Sequence, residues 1–72
     1  MTDFIVYACE EGRHRAHAVS ADTAEAAAIG FVETWHPGFD RDGEVAVVVR
    51  DPGDGRETCL RVDMGGDVEP CD

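Results

Sequence analysis

Ser20-Ala21-Asp22-Thr23-Ala24-Glu25 is the stretch on which the fold turns. Asp22 or Thr23 serves as N-cap, and Glu25 follows Asp22 by three residues, the spacing of a capping box. The acids lie at the positive end of a helix dipole. Downstream, Ala24, Ala27, Ala28, Phe31, Val32 and Trp35 recur at helical period on one face, while Glu25, Ala26, Ile29 and Glu33 point away. The early alanines permit close approach to a sheet, and the aromatics fill the wider end. Pro37 biases His36 out of helical geometry and ends the helix.

Strand-like runs flank this helix on both sides. Residues 4–9, Phe-Ile-Val-Tyr-Ala-Cys, form a continuous apolar run rich in β-formers. Glu10-Glu11-Gly12 reads as a turn, and residues 13–19 as a polar second strand, an edge protected by charge. Beyond the helix, residues 36–43 form a loop with Pro37-Gly38 and Asp42-Gly43 turn signals. Residues 44–50, Glu-Val-Ala-Val-Val-Val-Arg, are the strongest strand, and Asp51-Pro52-Gly53-Asp54-Gly55 is a turn. In a fourth strand, residues 57–64, Thr58, Leu60, Val62 and Met64 are expected to face inward, and Glu57, Cys59, Arg61 and Asp63 outward.

The expected architecture is therefore α+β: a ββαββ two-layer sandwich over residues 1–64, with an acidic tail over 65–72. Its four-stranded antiparallel sheet has the order 2-1-3-4, with one helix on one face. The apolar residues of the first and third strands that face away from the helix then form an interface, unless Arg and His stems shade them. Which of their alternating sets meets the helix stays open.

Seventy-two residues make one domain, and a chain this short buries only about 60% of its unfolded surface. Its 43% hydrophobic content is globular. Sixteen acidic residues against six Arg leave a formal charge of −10, a field that repels nucleic-acid phosphate and anionic membrane. The chain has no Lys, Asn or Gln, so a GC-rich genome or a salty habitat is a second source of that charge. No apolar run approaches the roughly 20 residues of a membrane span. The acidic Met1-Thr2-Asp3 start predicts no signal peptide. The odd number of cysteines predicts reduced thiols in a cytoplasmic setting, with Cys9 and Cys59 as strand hydrophobes and Cys71 exposed.

Catalytic constellations are not legible, and no enzyme activity is expected. Ser20 lacks a Ser-His-acid context, Cys9 lies in an apolar run, and no nucleophile accompanies His14, His17 or His36. No metal or cofactor is expected either. His14 and His17 fall on opposite faces of the second strand. The Asp40-Arg41-Asp42-Gly43 fragment lacks the carboxylates that a calcium loop needs at its first and twelfth positions. No phosphate-cradling glycine motif occurs. What remains is carboxylate patterning: four acids and no Arg or Lys over residues 16–40, and the same over 62–72. The turn-borne Asp40, Asp42, Glu44, Asp51, Asp54 and Glu57 are the candidate partner-binding residues, with Trp35 and Phe39 as anchors. Side chains on one strand face repeat about every 6.8 Å, which is about two phosphate steps along one DNA strand.

In layout the chain resembles small ββαββ proteins of phages and mobile elements, including some anti-CRISPR proteins. The resemblance is carried by residues 4–9, the Val19-Ser20-Ala21-Asp22-Thr23-Ala24-Glu25-Ala26-Ala27 junction and the hairpin over 44–64. It implies a protein that binds a CRISPR surveillance complex and blocks DNA engagement, its partner offering a basic nucleic-acid-binding surface. Asp22-Thr23-Ala24-Glu25-Ala26 also resembles the helix start of HicB-type antitoxins, which implies a homodimeric regulatory domain. The chain departs from that pattern in lacking a longer Pro/Gly segment between its first two strands and an appended DNA-binding region.

Overall fold

The computed structural model describes residues 1–71. Its elements are β1 (Thr2–Ala8), a single 3-10 turn (Arg13–Arg15), β2 (His17–Ala21), α1 (Ala24–Trp35), β3 (Glu44–Arg50), β4 (Glu57–Asp63) and β5 (Val68–Pro70). The fold is α+β, with α1 on one face of an antiparallel sheet. That sheet has five strands in the order β2-β1-β3-β4-β5, not four. The fifth falls in the segment expected to be an acidic tail. It escapes a reading by pattern because Val68 is its one strand-forming side chain and Pro70 donates no backbone hydrogen bond. Asp72, the last residue of that tail, lies outside the described residues.

The helix begins as its cap chemistry requires. Thr23 is the N-cap, and its Oγ1 accepts from the Ala26 amide at 3.1 Å. Glu25 sits in the first turn. The end is made by His36, whose left-handed backbone (φ 48°) lets its N–H reach the Val32 carbonyl at 3.0 Å. Ala27, Ala28, Phe31 and Val32 are buried as the stripe predicts. Trp35, expected on the same stripe, is the last residue of α1 and is 42% exposed, with one ring face on His17 of the edge strand β2.

Register decides the question of faces. Phe4, Val6 and Ala8 of β1, Val45, Val47 and Val49 of β3, and Leu60 and Val62 of β4 form the core beneath the helix. Ile5, Tyr7, Ala46, Val48 and Cys59 occupy the other face. Thr58, paired with Val49, lies on the expected face but is exposed, and Met64 is 75% exposed, so the buried part of the β4 stripe is Leu60 and Val62. Their exposure follows from position, since Thr58 is the second residue of β4 and Met64 follows its last.

The second strand starts four residues later than its polarity suggests. Gly12 takes a positive φ of 84°, which turns the chain out of extended geometry. Residues 13–15 then close a 3-10 turn through Arg15 N–H to Gly12 C=O at 3.2 Å and Ala16 N–H to Arg13 C=O at 3.1 Å. His14 and His17 therefore do not share a strand.

The expectation of three reduced thiols is overturned. Cys59 and Cys71 form a disulfide across β4 and the residue after β5, with Cα atoms 5.3 Å apart. Strand pairing brings them together, because the Cys71 amide donates to the Cys59 carbonyl at 3.0 Å. Cys9 is free and exposed, as β1 ends one residue before it.

Candidate functional site

Asp40, Asp42 and Glu44 lie on the loop leading into β3. One oxygen of Asp40 accepts from the amides of Asp42 (2.9 Å) and Glu44 (3.1 Å), while the Asp40 amide donates to the Glu44 carbonyl at 2.8 Å. This is Asx-turn chemistry: a short carboxylate closes its own backbone turn. Gly43, with φ 77°, completes the turn, and its carbonyl accepts from the Met64 amide at 3.1 Å, tying the loop to the end of β4. Glu44 Oε1 lies 3.9 Å from Arg61 Nη1 on the neighbouring strand.

Asp51, Asp54 and Glu57 lie at the other end of β3. Asp51 Oδ1 accepts from the Gly53 amide at 2.8 Å, and Asp54 Oδ1 from the Arg56 amide at 2.8 Å. Glu57 belongs to a bridge over the helix-free face. Arg13 Nη2 donates to Glu57 Oε1 at 3.1 Å, Arg13 Nε to the Tyr7 hydroxyl at 3.4 Å, and that hydroxyl to Glu57 Oε2 at 3.4 Å. The Tyr7 hydroxyl, and then the Glu57 carboxylate, raise the guanidinium pKa above its ordinary value. The bridge leaves Tyr7 only 9% exposed on a face that no helix covers.

The six candidates thus form two groups rather than one ladder. β3 has seven residues, and at ~3.3 Å per residue its ends lie about 20 Å apart. One further carboxylate, Asp63, joins the first group. Asp63 pairs with Glu44 in register, and its Oδ1 accepts from the amides of Gly65 and Asp67, both at 2.9 Å. Asp63 is expected only as an outward residue of the fourth strand; reading 65–72 as a tail hides the turn it closes, although Asp63-Met64-Gly65-Gly66-Asp67 repeats the acid-and-glycine chemistry of the hairpin at 51–55.

A cavity of about 290 Å³ opens beside the first group, lined by Ala8, Glu10, Glu11, Pro37, Asp40 and Glu44 among others. Four carboxylates rim an apolar floor. Glu11 is shared with Arg15 at 3.9 Å. The C-terminal end of the α1 dipole adds negative potential at Pro37 and Gly38. A smaller cavity of about 180 Å³ by the hairpin has Phe4 and Val49 as its floor and Asp51, Asp54 and Arg56 at its rim.

Of the two aromatic anchors, Phe39 is half-buried and packs against the core. Trp35 stacks on His17, with ring centroids 4.2 Å apart and planes at 19°, and Phe31 lies behind it at 5.6 Å. His14 and His36 are exposed. Among the described residues, no three His, Cys, Asp or Glu side chains converge as a metal site would require, and no helix is long and apolar enough to cross a membrane.

The chain belongs to a family of unknown function, DUF5961, whose family model matches residues 2–72 and so spans the helix and all five strands. No curated protein and no solved structure matches it.

Proposed function

We propose that this chain is a non-enzymatic, acidic protein-binding module of the cytoplasm that inhibits a nucleic-acid-binding complex. It presents carboxylates to a basic surface, as anti-CRISPR proteins that mimic DNA do. The observation that carries this reading is the anchoring of the candidate carboxylates. Asp40, Asp51, Asp54 and Asp63 each have one oxygen held by a turn amide, which directs the group before any partner arrives. Prior ordering lowers the entropy lost on binding. A net charge of −10 steers association with a basic groove and makes its rate salt-dependent. The end of the molecule with the acid-rimmed cavity and the half-exposed Trp35 is the better candidate face, since an exposed aromatic supplies an anchor that charge alone does not.

The Arg13 bridge weighs against the homodimeric alternative, because it covers Tyr7, the largest apolar side chain of the helix-free face. Ile5 and Val48 remain half-buried there.

The test uses a purified CRISPR surveillance complex from the native host and its target duplex. Adding this protein should abolish the DNA gel shift. Asp40→Asn/Asp42→Asn and Asp51→Asn/Asp54→Asn are the informative variants, because Asn keeps the turn-closing oxygen at 40, 51 and 54 while removing charge. The first pair should slow association about tenfold and flatten its salt dependence. Wild-type rates in both pairs would eliminate the carboxylate mechanism. An unchanged DNA shift together with a dimer in light scattering would favour the regulatory-domain reading.

A further inference from the structure

We propose that β5 is a latch held shut by the Cys59–Cys71 disulfide and opened when a dithiol reductant cleaves it. Besides that bond, the strand is held by its short ladder with β4, by the Asp63-closed turn and by Val68 against the core. It comprises three residues at the edge of the sheet, paired as Val62↔Val68, Arg61↔Glu69 and Leu60↔Pro70. Glu69 and Pro70 are exposed, Val68 is half-buried, and Pro70 has no N–H to give. Gly65-Gly66 immediately precede it, so the unlatched segment regains a large conformational freedom. Against this weak packing stands one covalent link, closing a segment of sequence separation 12.

What the latch covers is more valuable than the latch itself. On the edge of β4 the Asp63 amide donates to the Asp67 carbonyl at 3.0 Å, and the Cys59 carbonyl accepts from the Cys71 amide at 3.0 Å. Leu60 and Val62, only 5% and 1% exposed, lie directly beside β5. Opening therefore frees a strand edge and the flank of the core, while the β1–β3–β4 ladder keeps its own hydrogen bonds. An unpaired edge of this kind accepts another strand.

Both cysteines are half-exposed, so a small dithiol reaches them. One thiolate of the reductant attacks a sulfur of the pair, forming a mixed disulfide and releasing the other cysteine as thiolate. The reductant's second thiolate then displaces the remaining cysteine. Two electrons and two protons pass to the protein, which ends with two thiols, and the reductant ends as its own disulfide.

The experiment compares air-oxidised protein with protein reduced by dithiothreitol. Alkylation with iodoacetamide followed by intact mass should add one group to the oxidised form, at Cys9, and three to the reduced form. Amide exchange at Asp63 and Cys71 should accelerate at least tenfold on reduction, with β1 and β3 unchanged. Cys71→Ser without reductant should reproduce the Asp63 acceleration. Three adducts on the air-oxidised protein would overturn the proposal. Unchanged exchange on reduction would also overturn it, and so would loss of protection throughout β1 and β3, which would make the bond a prop of the whole fold.

Discussion

Single residues here do two jobs with one carboxylate. Asp63 closes the turn between β4 and β5 through two amide bonds at 2.9 Å, and it adds charge beside Glu44. Asparagine separates the two roles, since it keeps the accepting oxygen. Asp63→Ala should destabilise the chain by about 1–2 kcal/mol, whereas Asp63→Asn should stay within about 0.5 kcal/mol of the parent. Urea unfolding of both variants checks this, and equal losses would assign the effect to charge. The same double use explains why the candidate acids were legible as turn residues yet ambiguous as a binding site. Asp-Gly and Asp-Pro-Gly patterns announce a turn whether or not a partner exists. Arg13 was misread for a different reason. Its role depends on Glu57, 44 residues away, and no local pattern encodes such a pairing.

At the scale of elements, α1 was readable because its signals agree. A capping threonine, a stripe of alanines widening to Phe31, and a terminating proline all give the same boundaries. Thr23→Ala should cost about 1 kcal/mol by removing the acceptor for the Ala26 amide. Thr23→Ser should restore most of it, and thermal melts of the pair decide the matter. β1 and β3 were legible from their apolar runs, and β4 from its alternating polarity. β5 was not, because a three-residue strand with one Val carries too few side chains for any periodicity. The disulfide was hidden with it, since Cys59 and Cys71 meet only once β5 is paired. β2 shifted because Gly12 redirects the chain, a backbone event that residue polarity does not report.

For the molecule as a whole, charge is the dominant unspent quantity. A formal −10 on a 72-residue chain repels itself, and added salt screens that repulsion. If the carboxylates serve a partner in an ordinary cytoplasm, the protein is fully folded at about 0.1 M salt, where the Debye length is about 10 Å. Its melting temperature should then rise by only a few degrees on moving to molar salt. A chain unfolded at low salt and rescued by molar salt would assign the acidity to habitat instead. Such melts need no added label. Trp35 is the one tryptophan of the chain, and its indole lies flat against the His17 imidazole that β2 brings under the end of α1. The two rings come from separate elements and stay in contact only while helix and edge strand remain docked. Indole emission is therefore a built-in optical gauge of that docking, and its intensity should change as soon as β2 and α1 part, ahead of any loss of the helix itself.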